Sequence, residues 1–161
     1  MNIDRILQLL YDHAVDYLLI GGVNFLLHHE PALTFDVDIW VADNEENLAK
    51  LNRSLIAMGG AWGPSEREWT PVPLDPNWLK QQVVYCLTTD HGALDVFREV
   101  CGLEGRYVEC ETAARRSQTT TGVPYRGLSD PHMLNCQEAL PPPERNLRRM
   151  EVLKKAMAAR E

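Results

Sequence analysis

The sequence predicts an α+β domain: one mixed β-sheet flanked by helices, with further helices at the C-terminal end. Three features predict it. Apolar residues recur at helical spacing near both ends of the chain, at Ile6, Leu7 and Leu10 and again at Leu147, Met150, Leu153 and Met157. The run Phe35-Asp36-Val37-Asp38-Ile39 alternates with the period of two that marks a strand. Between them the elements follow the order helix, strand, helix, strand, helix, hairpin, strand, helices, which suits one sheet covered by helices. With 161 residues and 45% apolar content, the chain can bury a real core, which rules out wholesale disorder.

Asn2 or Asp4 can cap the first helix. Tyr17-Leu18-Leu19-Ile20 reads as a short buried strand closed by Gly21-Gly22, and a short helix from about Val23 to His29 ends before Pro31. The strand Phe35–Val41 follows. Asp43-Asn44 then caps a helix through Leu48, Leu51, Leu55 and Met58, stopped by Gly59-Gly60. Residues 61–80 hold four prolines and Trp62, Trp69 and Trp78, the composition of a long loop or lid. Gln82–Thr89 and Ala93–Val100 form a hairpin across Asp90-His91-Gly92. A short helix near Glu111–Arg116 precedes a strand around Thr119–Tyr125. Ser129-Asp130-Pro131 begins another helix, and Pro141-Pro142-Pro143 separates it from a last one over 144–160. The whole chain, 1–161, reads as one domain, with a core over about 1–126 and a C-terminal helical segment over about 127–161.

Charge narrows the function. The net charge is -7, and all of it falls in residues 1–80, the remainder being balanced. Such a chain is no duplex-DNA binder driven by phosphate attraction. No apolar stretch approaches the roughly 20 residues of a membrane span. The start Met1-Asn2-Ile3-Asp4 lacks the features of a signal peptide, so the expected location is the cytoplasm. Cys86, Cys101, Cys110 and Cys136 show no zinc-ligand spacing and are expected to be reduced thiols.

The chemistry concentrates in three acids. Asp36 and Asp38 stand two apart on a strand, so both project from one face while Val37, Ile39 and Val41 take the other. Two carboxylates so close repel unless a cation or proton lies between them, and oxygen ligands suit Mg²⁺. Asp95 sits in a second strand, Ala93-Leu94-Asp95-Val96-Phe97, an apolar run where a carboxylate is unexpected. Gly21-Gly22, between a strand and a helix, would let backbone amides approach phosphate oxygens.

The stretches Leu18–Gly22 and Phe35–Val41, with Asp95, resemble the signature of the polymerase-beta-type nucleotidyltransferase superfamily. These two stretches, the most similar part, resemble the small nucleotidyltransferases of toxin–antitoxin and abortive-infection systems. Enzymes that nucleotidylate lincosamides or aminoglycosides share the same core. The resemblance covers roughly residues 16–43 and 92–98. It implies a nucleotidyltransferase-like mixed sheet and transfer of a nucleoside monophosphate from a nucleoside triphosphate (NTP) to an acceptor hydroxyl of RNA (such as a tRNA end), protein or a small molecule. By the same resemblance Asp36, Asp38 and Asp95 are catalytic and bind two Mg²⁺ ions, and Gly21, Gly22 and Thr34 bind the nucleotide. An antitoxin protein is the implied partner of a toxin member. The sequence departs from relatives at Ala32, where many carry arginine, and at Gln137 and Arg145–Arg148, where they carry lysine and an Arg-x-Lys-Asp-like stretch. Those losses suggest a second class, a non-catalytic relative that binds a nucleotide or a partner.

Other groups have plainer explanations. His28-His29-Glu30 fails the metalloprotease pattern because position 33 is Leu33. Tryptophans of 61–80 could stack a base or drug ring, but packing the segment onto the body is their commoner use. Arg115, Arg116 and Arg126 read as surface residues, and the basic last helix as an amphipathic helix on the core. Ser117–Thr121 is hydroxyl-rich without the partners of a nucleophilic triad.

Overall fold

The computed structural model describes residues 1–161. Asn2 caps α1 (Ile3–Asp12) by accepting the Arg5 N–H, and the helix buries Ile6, Leu7, Leu9 and Leu10. There follow β1 (Tyr17–Ile20), α2 (Gly21–His28), β2 (Asp36–Val41) and α3 (Glu45–Ala57), the last capped by the Asn44 side chain. After these come β3 (Ala61–Trp62), β4 (Thr70–Pro71), β5 (Val84–Thr89), β6 (Gly92–Phe97) and α4 (Tyr107–Thr112). β7 (Arg115–Gln118), β8 (Pro124–Gly127), α5 (Asp130–Ala139) and α6 (Leu147–Ala158) complete the chain.

The eight strands form one sheet in the order β4-β3-β5-β6-β2-β1-β8-β7. It is mixed: β2 runs parallel to β6 and β1 to β8, and the other pairs are antiparallel. Alternation gives it two buried faces. One, with Val37, Ile39, Leu94 and Val96, packs under α1 and α3. On the other, Leu18, Ile20 and Trp40 meet Met133 and Leu134 of α5 and Met150 and Leu153 of α6. No helix is long and apolar enough to cross a membrane.

Four expectations are corrected. Residues 61–80 are not a free loop or lid: β3 and β4 extend the sheet edge, with Ala61 paired to Thr88. The reason is aromatic packing. Trp62, Trp78 and Tyr85 stack with ring centroids 4.9–5.6 Å apart, Trp78 Nε1 donates to Asn52 at 2.8 Å, and the Tyr85 hydroxyl donates to the Trp78 carbonyl at 2.6 Å. The single strand over 119–125 is instead a hairpin. Thr119 and Val123 close its turn, Gly122 adopts φ +86°, and β7 pairs back on β8. The helix placed at 111–116 lies earlier, as α4. Finally, Gly21 and Gly22 open α2 rather than precede it.

The C-terminal helix is tied down by charge as well as by Met150 and Leu153. Arg148 grips Glu30 through two bonds of 2.9 and 2.8 Å. Arg160 reaches the buried Asp130 at 2.8 Å, where His29 (2.8 Å) and Arg115 (3.1 Å) also converge. One buried carboxylate thus joins the ends of α2, β7, α5 and α6, and two guanidiniums with the His29 hydrogen bond compensate its desolvation.

Candidate active site

Strand register builds the site. In the parallel pair of β2 and β6, Asp38 stands opposite Asp95 and Asp36 opposite Ala93. Residues in register across a sheet point the same way, so Asp95 joins Asp36 and Asp38 on one face. One carboxylate oxygen from each of the three lies within 4.8 Å of the others, and all three side chains are partly exposed. The convergence that the sequence suggested from two distant stretches is therefore present.

The electrostatics of the cluster favour a cation or a proton between the acids. Burial, with the charges of Asp36 and Asp95 adding, pushes the Asp38 carboxyl up to about 7. Burial, the Asp36 charge and the Asp36 carboxyl beside it push Asp95 up to about 6. Three negative charges in so small a volume are costly unless a cation shares them. An all-carboxylate donor set fits a hard divalent ion such as Mg²⁺.

Gly21 and Gly22 serve the carboxylate first. Gly21 has φ +68°, and a Cβ there would lie 2.2 Å from Asp38 Oδ2. Only glycine fits both the backbone and the approach. The Gly22 amide, at the start of α2, lowers the Asp38 pKa against the larger raising effects. A Cβ on Gly22 would meet the Thr34 hydroxyl at 2.9 Å, and that hydroxyl donates to the Asp36 carbonyl at 3.0 Å. Thr34 thus braces the loop into β2, and its hydroxyl is already committed.

One charged residue beside the acids escaped the sequence reading. Arg149 of α6 is mostly buried: its guanidinium carbon sits 5.3 Å from the Phe25 ring centroid, and Nη2 lies 3.5 Å from where a Gly22 Cβ would be. Its Nε is buried with no hydrogen-bond partner, and no carboxylate comes within ion-pair distance. Burial lowers its pKa, opposed by the Asp38 charge. In the sequence it is one of six basic residues in the last 21, and nothing local distinguishes it. It brings to the site a positive charge of the kind that Ala32 and Gln137 lack. Beside Asp38, a cavity of about 180 Å³ is lined by Gly21, Arg149, Gln137 and mostly apolar neighbours.

No family model matches the sequence, and no curated protein does. Solved structures do. The antibiotic-resistance factor ANT(2'')-Ia in solution matches with a TM-score of 0.57 at 13% identity, over 99% of this chain and 82% of that one. The crystal structure of ANT(2'')-Ia in complex with adenylyl-2''-tobramycin matches with 0.59 at 12% identity, over 98% and 88%. A candidate nucleotidyltransferase of Thermotoga maritima matches with 0.51 at 16% identity, over 97% and 86%. The chain shares the nucleotidyltransferase fold.

Proposed function

We propose that the protein is a Mg²⁺-dependent nucleotidyltransferase that moves a nucleoside monophosphate from an NTP to an acceptor hydroxyl. The observation that carries this reading is the meeting of Asp36, Asp38 and Asp95 beside the partly buried Arg149 guanidinium, which pairs with no carboxylate and lies at the start of α2. Acids that repel need cations, and an arginine without a carboxylate suits a phosphate. The amides of Gly21 and Gly22 and the Arg149 guanidinium hold the triphosphate. The acceptor oxygen attacks the α-phosphorus, its proton passes to Asp95, and the bond to the β-phosphate oxygen breaks to release pyrophosphate. Asp36, Asp38 and Asp95 would hold Mg²⁺, which would supply neutralisation of the charge that develops during transfer.

RNA and protein hydroxyls are acceptors suggested by the resemblance to toxin-type enzymes, which also suggests an antitoxin partner. An antibiotic acceptor is the second reading. It is favoured by the fold likeness to ANT(2'')-Ia, whose crystal holds adenylyl-2''-tobramycin. The non-catalytic alternative has less support, because the three acids and a site cation are all in place. The test is transfer of label from α-phosphate-labelled NTPs with Mg²⁺ to tRNA, to protein and to aminoglycosides. Transfer that disappears in Asp36→Asn/Asp38→Asn is expected. No transfer to any acceptor, with Mg²⁺ binding unchanged in that variant, would overturn the reading.

A further inference from the structure

Beside the acids, the front face of the sheet does not close completely under α5 and α6. The cavity of about 180 Å³ there has walls of Phe97, Val100, Leu128 and Met133. Its polar groups are few. Asp38, Gly21 and Arg149 belong to the phosphate and metal end already described, which leaves Gln137.

Gln137 is nearly buried, and its Oε1 accepts the Asn146 N–H at 2.8 Å. That bond settles the orientation of the amide, because only an oxygen can accept from the backbone N–H. Nε2 is therefore a donor, and it has no partner in the protein. A mainly apolar cavity that offers one committed donor is suited to a flat ring carrying a carbonyl oxygen.

We infer that this cavity takes the base of the nucleotide and that Gln137 makes it select a pyrimidine over a purine, an inference that rests on the nucleotidyl-transfer reading. Size and chemistry agree. A dry cavity of about 150 Å³ accommodates a single benzene-sized ring, and the space here is only slightly larger. A fused two-ring base needs more room than this volume gives. Uracil and cytosine both carry the O2 carbonyl that the Gln137 Nε2 can meet. Adenine carries no carbonyl, and guanine is too large. The phosphates of the same nucleotide then leave the cavity past Asp38 toward Gly21, Gly22 and Arg149, so one molecule can satisfy both halves.

The experiment is calorimetric binding of UTP, CTP, ATP and GTP to the whole protein with Mg²⁺, read as ratios among the four. The expected result is pyrimidine binding tighter by about tenfold, the scale of one hydrogen bond plus a steric misfit. Gln137→Glu keeps the acceptor for Asn146 and removes the donor; its added charge weakens all four NTPs alike, so the ratio, read at a temperature where the variant is folded, should move toward one. Met133→Ala enlarges the cavity and should raise purine affinity relative to pyrimidine. Arg149→Ala should weaken all four together. Equal binding of the four NTPs, or Gln137→Glu leaving the ratio unchanged, overturns the base assignment and leaves the nucleotidyl-transfer reading standing. If no NTP binds, both fall.

Discussion

Replacing Gly21 by alanine tests the tightest coupling between backbone and chemistry in the protein. Two costs follow from the structure. The φ of +68° puts a side chain in the left-handed region, at about 1–2 kcal/mol. For a chain of 161 residues each kcal/mol moves the melting temperature by about 2–4 °C, so Gly21→Ala should melt roughly 2–8 °C lower. The second cost is local. The new methyl would stand 2.2 Å from Asp38 Oδ2, well inside contact distance, so the carboxylate must swing away from Asp36 and Asp95. Gly21 is a neighbour that sets the place of a candidate ligand, and changing such a neighbour typically costs about 10–100-fold in metal affinity. Gly105→Ala separates the two effects: its φ is +72° and nothing lies within 4 Å of the added carbon. It should share the loss in melting temperature and keep metal affinity. Differential scanning calorimetry and Mn²⁺ titration read both quantities. If Gly21→Ala binds metal as well as Gly105→Ala does, the close approach of Gly21 and Asp38 is not what shapes the site.

Two further predictions concern pH and the tryptophan-rich segment. Asp38 and Asp95 rise from an ordinary carboxylate value of 3.8 to about 7 and about 6 in the folded protein. The folded state then holds protons that the unfolded chain has lost, so metal-free stability falls as pH rises from about 4 to 7 and levels off above. Melting temperatures in chelator should fall less steeply over that range for Asp38→Asn than for wild type, and Mg²⁺ should also flatten the wild-type curve; parallel curves would refute the assignment. Trp78→Ala should cost about 3–5 kcal/mol, because it empties a buried indole site and strands the Asn52 partner. Nucleotide KM at a temperature where the variant is folded should stay the same, and a large KM change at intact stability would restore a lid role to residues 61–80.

Local patterns along the chain determined much of this protein. The period-two run at Phe35–Val41, the strand Tyr17–Ile20, the helix capped at Asn44 and the hairpin through Gly92 all rest on near-neighbour chemistry, and each occurs close to where the pattern puts it. The three acids were also legible, because a carboxylate in an apolar strand and two carboxylates on one strand face are anomalies that a sequence displays. Residues 61–80 misled, since proline-rich composition says nothing of Tyr85, the distant ring that Trp62 and Trp78 meet edge-on. Only the tertiary structure decided the register of β2 against β6, and with it the meeting of Asp95 and Asp38. It alone also chose Arg149 from among the basic residues of the last helix. Register depends on how two sheet faces pack under their helices, and the place of a long side chain depends on what closes around it. Both are sums over residues far apart in the chain, so no window of sequence contains them.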